Sequence, residues 1–336
     1  MNIIIPMAGR GSRLRPHTLT VPKPLIPVGG KPIVYRLVED IANICGDKIN
    51  EIAFVVGHFG EDVERDLIAV AEKFGARGSI HYQEDPLGTG HAVLCAKELL
   101  DGPVVVAFAD TLFQADFKIS PEDDGILWVK QIENPSEFGV VKLNELGVII
   151  DFVEKPQEFV SDLAMIGVYY FKKGENLLSE LEYLVENDVI KSGEYQLPDA
   201  LRRLTEKGCL FRPGKVNEWL DCGNKEVTVQ TNKHVLMHDY KKYPNPTRIN
   251  FSNKNSVVIE PCFIGEDVVI ENSVIGPYAS IGKNAILSNC RVSDSIIQDN
   301  CRMNNVIINN SMIGSNTVLN KEATIVSLGD FSTINE

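Results

Sequence analysis

No acidic side chain precedes Glu39. The same stretch carries Arg10, Arg13, Arg15, Lys23, Lys31 and Arg36, in a chain whose net charge is −13. Such a local excess of positive charge calls for an anionic ligand, and a polyphosphate is the simplest one. No broad basic face accompanies it, so no nucleic-acid partner is expected. No apolar run approaches the roughly 18 residues of a membrane span, so no membrane partner is expected either. No charged segment precedes the first strand, which argues against a signal peptide. The seven cysteines are scattered and odd in number, and no C-x-x-C occurs. Reduced thiols in a cytoplasmic location fit that pattern better than a disulfide framework or a zinc site. What remains is an ordinary globular composition, 44% apolar and 24% charged, in a chain of 336 residues, long enough for two domains.

The cationic stretch has a definite layout. Ile3-Ile4-Ile5 reads as a short buried strand. It runs into Met7-Ala8-Gly9-Arg10-Gly11-Ser12-Arg13-Leu14, then Pro22-Lys23-Pro24, then Gly30-Lys31-Pro32. Gly9 and Gly11 lack a Cβ, so the backbone N–H groups around them can press against an anion. A structural turn uses the same G-x-G. A dinucleotide fingerprint does not fit, because Leu14 stands where its third glycine belongs and no acidic residue follows at about 20 residues. Nor does a Walker A loop, since Pro32 follows Gly30-Lys31.

Beyond this stretch, apolar runs alternate with helical spacing. Helices are predicted over 31–45, 63–74 and 89–100, and strands over 52–56, 79–83 and 104–108. That alternation predicts a mostly parallel sheet with helices on both faces, with ligands outside the carboxyl ends of its strands. The loop after Ile5, the segment after Gln83, and Asp110 after Phe108 all fall at such ends. Gln83 offers a donor and an acceptor to a base edge. Gly88 permits close backbone approach, though a plain surface turn would do the same. Asp110 is either a cap or a metal ligand by position alone.

From 125 onward strands predominate, at 126–130, 138–143, 148–152 and 163–171, before helices at 175–187, one opened by 193–201, and one at 225–240. Gly139 and Gly167 could pass a ligand closely, and Glu154-Lys155 ends a strand with a carboxylate beside an ammonium. A polar linker is expected over 241–256. Past it, Ile264, Ile270, Ile275, Ile281, Leu287, Val292 and Ile297 recur at five or six residues, the spacing of a hexapeptide-repeat parallel β-helix over 257–336. No histidine follows His238, so an acyltransferase role for this tail lacks its base, and a structural or oligomerising role is favoured. A homo-oligomer is compatible with such a tail.

Taken together, G-x-G-S-R-L, P-x-T and P-K-P-L-x-P-V-x-G-K-P resemble the signature of the sugar-1-phosphate nucleotidylyltransferases. Gln83 with L-G-T-G-H-A, Asp110, Glu154-Lys155-Pro156 and Trp219-Leu220-Asp221-Cys222-Gly223-Asn224 extend the resemblance to about residue 230. The pattern is most similar to glucose-1-phosphate thymidylyl- and uridylyltransferases carrying a left-handed β-helix. The resemblance implies a Rossmann-like catalytic domain over 1–240, with a sugar-binding insertion at about 125–220. It implies transfer of a nucleotidyl group from dTTP or UTP to a hexose-1-phosphate, with Mg2+ as cofactor. Arg13 and Lys23 would be catalytic. Ala8, Gly9, Gly11, Ser12, Gln83 and Gly88 would bind the nucleotide. Gly139, Glu154, Lys155 and Gly167 would bind the sugar phosphate, and Asp110 and Asp221 the metal. A cytidylyltransferase for a non-sugar phosphate and a non-catalytic regulatory homologue remain alternatives at this point.

Overall fold

The computed structural model describes residues 1–9, 11–45, 48–115, 119, 123–191, 193–244 and 251–322. Arg10, the 245–250 part of the expected linker, and the tail from 323 lie outside the described residues. The chain divides into two compact units, one of Met1–Ile26 and Lys31–Asn224, the other of Pro27–Gly30 and Lys225–Glu336.

The first unit is built on β1 (Asn2–Pro6), whose isoleucines are fully buried because both sheet faces are covered. After it come α1 (Ile33–Cys45), β2 (Glu51–Val56), α2 (Glu61–Lys73), β3 (Arg77–Tyr82), α3 (Thr89–Leu94) and β4 (Val104–Ala107). β1 to β4 pair in parallel in the order β3-β2-β1-β4. The order reverses direction between β1 and β4, and the crevice at such a switch point is where ligands bind. Side-chain alternation assigns the faces. Ile4, Ala53, Val55, Val104 and Val106 join one core with α3 and with two later helices, while Ile3, Ile5, Ile52, Phe54 and Val105 are buried on the other face.

The chain continues through β5 (Thr111–Gln114), β6 (Gly125–Gln131), β7 (Gly139–Leu143), β8 (Ile149–Glu154), β9 (Leu163–Phe171), α4 (Gly174–Glu186), α5 (Leu197–Glu206), β10 (Phe211–Lys215) and β11 (Glu218–Asp221). The strands β6 to β10 extend the same sheet, giving nine strands in the order β3-β2-β1-β4-β9-β6-β10-β8-β7. Antiparallel pairing enters at β9 against β4. The inserted sheet expected near 125–220 is therefore continuous with the main one. A second difference concerns 89–100. The α-helix ends at Leu94, and a 3₁₀ turn over Lys97–Leu99 carries the remaining apolar residues into the core.

The second unit is a left-handed parallel β-helix preceded by α6 (Lys225–Lys242). Three columns of short parallel strands stack, beginning at Ser252–Lys254, Val257–Val258 and Phe263–Ile264. Ser252–Lys254, expected in the linker, is thus the first rung, paired with Val269–Glu271. The helix α6 was expected to close the first domain. It belongs instead to the second unit, because buried Asn232 accepts hydrogen bonds from Ser280 Oγ at 2.7 Å and from the Gly29 N–H at 2.8 Å.

Successive coils are 16 or 17 residues apart, just short of three hexapeptides. Their corners are turned by residues with positive φ, among them Asn272, Asn284, Asn289, Asn300, Asn305 and Asn316. Asparagine tolerates that left-handed conformation better than other residues with a side chain. Asn284, Asn300 and Asn316 also form a ladder of amide hydrogen bonds at 3.0 Å. Inside, Ile270, Ile275, Ile281, Leu287 and Val292 are fully buried.

The exposed corner residue Asn305, at φ 56° and with no side-chain bond among the described residues, isolates the backbone effect. Asn305→Val should lower stability in urea unfolding by about 1–2 kcal/mol, and Asn305→Gly should stay within about 0.5 kcal/mol of the wild type.

Candidate active site

At the carboxyl end of β1 the Met7 N–H still reaches the Val55 carbonyl at 2.8 Å, after which the chain leaves the sheet. Gly11 then adopts φ 58° and opens a short 3₁₀ turn, Ser12–Leu14, anchored by buried Leu14. A Cβ on Gly11 would meet Lys23 Cβ at 3.0 Å, and the Thr18 hydroxyl donates to the Gly11 carbonyl at 2.8 Å. The glycine loop is thereby folded directly onto Lys23. That lysine is only 8% exposed, and its ammonium lies 3.2 Å from Asp110 Oδ2, at the end of β4.

β5 and β11 form a two-stranded antiparallel ribbon that pairs Thr111 with Asp221. The Cys222 N–H donates to the Asp110 carbonyl at 3.2 Å, so the two aspartates are neighbours although distant in sequence. Burial raises the Asp221 pKa first; Lys23 and Arg13 pull it down and Asp110 pushes it up. Arg13, Lys23, Asp110 and Asp221 therefore share one electrostatic neighbourhood.

A cavity of about 400 Å³ lies here. Ala8, Gly9, Gly11, Ser12, Arg13, Lys23 and Asp110 line it, as do Gln83 and Gly88. Gly88 sits at φ 111°, and a Cβ there would fall 2.6 Å from the Tyr195 carbonyl oxygen. The close approach it permits is to the chain entering α5. That segment is stitched on by Tyr195 N–H to Leu87 O at 2.8 Å, Gly90 N–H to Tyr195 O at 2.8 Å, and Leu197 N–H to Thr89 Oγ1 at 3.0 Å.

Gly139, Glu154, Lys155 and Gly167 do not line this cavity. Gly139, Glu154 and Gly167 connect to it through a chain of contacts. Gly139 pairs with Glu154 across β7 and β8, and a Cβ on Gly139 would lie 2.6 Å from Glu154 Oε2. Burial raises the Tyr169 pKa, with the Glu154 carboxylate adding to the shift. The Tyr169 ring meets Phe108 edge-on at 6.3 Å, and Phe108, whose N–H donates to the Gly167 carbonyl at 2.9 Å, is a cavity wall. Lys155 is exposed and has φ 44°.

Sequence reasoning passed over Phe108, which lines the cavity. Phe108 carried a signal, since it ends the same apolar run that places Asp110. Glu194, in a 193–201 segment similar to one in the family and not expected to be catalytic, also lines the cavity.

A metal would find two carboxylates here, Asp110 and Asp221. Among the described residues no group of three or more His, Cys, Asp or Glu is placed to hold an ion. Two hard oxygen ligands fit Mg2+, which keeps several waters and completes its shell with phosphate oxygens; a closed all-protein cage is not needed. The donor set therefore fits that ion. No helix among the described residues is long and apolar enough to cross a membrane.

A switch-point crevice with a glycine-opened loop, two cations and two acids marks a doubly wound α/β protein suited to a phosphorylated ligand. The chain belongs to the nucleotidyl transferase family, whose model matches residues 2–237. It is 33% identical over 264 residues to the bifunctional protein GlmU of Methanococcus maripaludis, covering 77% of this chain and 60% of that protein. It is 31% identical over 245 residues to the low-salt glycan biosynthesis nucleotidyltransferase Agl11 of Haloferax volcanii, covering 70% and 66%. The chain thus spans about 60% of the length of the GlmU relatives it matches. Among solved structures, UDP-glucose pyrophosphorylase complexed with UDP-glucose superposes with a TM-score of 0.57 at 25% identity, over 72% of this chain and 98% of that one.

Gly88→Ala should cost about 2–4 kcal/mol in thermal unfolding, because strained φ and a backbone clash add. Gly60→Ala is the control: φ is 94° but nothing lies within 4 Å, so only about 1 kcal/mol should be lost.

Proposed function

We propose that the first unit transfers a nucleotidyl group from a pyrimidine nucleoside triphosphate, dTTP or UTP, to a hexose-1-phosphate, giving an NDP-sugar and pyrophosphate. Glucose-1-phosphate is the sugar favoured by the sequence pattern. The observation that carries this reading is the gathering of Arg13, Lys23 and Asp110 with the glycine loop in one cavity at the switch point.

In the reaction a phosphate oxygen of the sugar-1-phosphate attacks the α-phosphorus. The bond to the β-phosphate oxygen breaks, and pyrophosphate leaves with the electron pair. The nucleophile is already an anion near neutral pH, since a phosphate monoester's second pKa is about 6, so no general base is required. The barrier lies in bringing two anions together. Two unit charges at about 4 Å repel by about 4 kcal/mol at an effective dielectric of about 20. Positioning and cationic stabilisation must therefore do the catalysis.

Arg13, exposed at the cavity rim, suits the departing pyrophosphate. Lys23, held in place by Asp110, suits the α-phosphate. Backbone N–H groups of Ala8, Gly9, Gly11 and Ser12 cradle the chain of phosphates, and Gln83 and Gly88 face the base. Gly139, Glu154 and Gly167 form the sugar end, with Lys155 on the sugar phosphate. Asp110 and Asp221 would hold Mg2+, which when bound supplies charge neutralisation at the phosphate oxygens.

Pyrophosphate release measured across the nucleoside triphosphates and a panel of hexose-1-phosphates tests the proposal. Arg13→Ala should lower kcat about 10²–10³-fold while leaving the unfolding temperature unchanged. Asp110→Ala should abolish magnesium-dependent pyrophosphate release, and full turnover in that variant would remove the metal role. Absence of pyrophosphate release with every pair of substrates would sink the reading.

A further inference from the structure

The strand β8 ends at Glu154, beside Lys155, the two charged residues given above to the sugar end. Its two edges differ. On one edge β7 pairs with it up to Glu154 and Gly139. On the other edge, among the described residues, β10 pairs with it only at Ile149 and Phe211. The residues leading to Glu154 therefore have a strand on one edge alone. The Lys155 N–H donates to the Phe138 carbonyl at 3.1 Å, on the β7 side. Bonded pairs alternate with unbonded ones along an antiparallel ladder, so the Phe152 N–H and C=O point to the open edge. Phe152 is fully buried, and water cannot satisfy them there.

Side chains close that edge. The Phe152 N–H donates to Asp151 Oδ1 at 2.8 Å, and Arg202 Nη2 donates to the Phe152 carbonyl at 2.5 Å. Arg202 Nε reaches the same Asp151 oxygen at 3.3 Å, and its Nη1 reaches Asp199 Oδ1 at 2.8 Å. Asp199 and Arg202 are three residues apart on α5, so they share one face of that helix. One guanidinium thus joins β8 to α5 through charge-assisted bonds, in a planar fork that an ammonium would not reproduce. The start of α5 is fixed in turn, since Tyr195 and Leu197 are bonded to Leu87 and Thr89 beside the cavity.

We infer that Arg202 is a positioning residue which takes the place of the missing strand and holds the end of β8, so that Glu154 and Lys155 are presented to the sugar-1-phosphate. The inference rests on the sugar-end roles proposed above. Without the fork the Phe152 carbonyl is left buried and unsatisfied, and the open edge must loosen to reach water. A displacement of about 1 Å in a binding group can cost about 100-fold in rate, even when it starts far from the chemistry. The next residue supplies a contrast. Arg203 Nε bonds Glu180 Oε2 at 2.8 Å, and the Glu180 side chain is only 2% exposed, so Arg203 ties α5 to α4 instead of to β8.

The test uses the full chain. Pyrophosphate release is followed with dTTP or UTP and glucose-1-phosphate, or the hexose-1-phosphate that the panel above selects, and hydrogen exchange is followed over 149–155. Arg202→Gln should raise KM for the sugar phosphate about tenfold and leave KM for the nucleotide within about twofold. Exchange over 149–155 should quicken about tenfold in the same variant. Arg203→Gln leaves the buried Glu180 carboxylate with Lys207 and should lower the unfolding temperature at least as much. Its KM for the sugar phosphate should nevertheless stay within about twofold of the wild type. A merely structural role for Arg202 would make the two variants alike. Equal KM shifts in both, unchanged exchange in Arg202→Gln, or faster exchange with an unchanged sugar-phosphate KM each overturn the inference while the transfer reaction stands. Absence of pyrophosphate release by the wild type overturns the transfer reaction and the role toward the sugar with it, and the exchange comparison then decides whether Arg202 holds β8.

Discussion

Lys23 and Asp110 stand 87 residues apart in the chain and 3.2 Å apart in space. A nearly buried ammonium is tolerated only beside an opposite charge. That condition fixes the loop after β1 against the end of β4, the two strands that flank the switch point. The Gly11 turn, the Thr18 hydroxyl and the short helix at Lys23 are all arranged around it. So is the β5–β11 ribbon, whose register sets Asp221 next to the residue following Asp110. The result is a field of both signs.

Much of this was legible in the sequence, for identifiable reasons. Strands buried on both faces write themselves as continuous apolar runs, so Ile3 to Ile5 and Val104 to Ala107 were unmistakable. The glycine loop announced itself by composition, and Asp110 by ending an apolar run. The ribbon did not. Thr111–Gln114 and Glu218–Asp221 have four residues each, too few for a periodic signal, and their pairing spans about a third of the chain. What brings Asp110 and Asp221 together is therefore invisible to any local pattern, although each aspartate was individually suspected.

Two further features were hidden for the same reason. Residues 89–100 have helical apolar spacing throughout, and Ala92, Val93, Ala96, Leu99 and Leu100 are all buried, yet the second half is a 3₁₀ turn. Burial selects which residues are apolar and leaves the backbone a choice between related conformations. The helix α6 buries Thr228, Thr231 and Asn232, polar residues that give no apolar pattern in the sequence. Polar residues are buried when partners are supplied, and for Asn232 those partners, Gly29 and Ser280, come from opposite ends of the chain.

The loop 83–91 shows how packing between distant segments can hold a polar side chain in place. Gly88 must be glycine because the backbone at Tyr195 passes where a side chain would begin. The same crowding immobilises the Gly88 carbonyl, and that carbonyl orients the Gln83 amide. A stable contact between the loop and the start of α5 is thus the precondition for a fixed polar group in the cavity. Loosening the contact to ease the strain would release the amide, so the strained glycine and the orientation of the Gln83 amide stand or fall as one device.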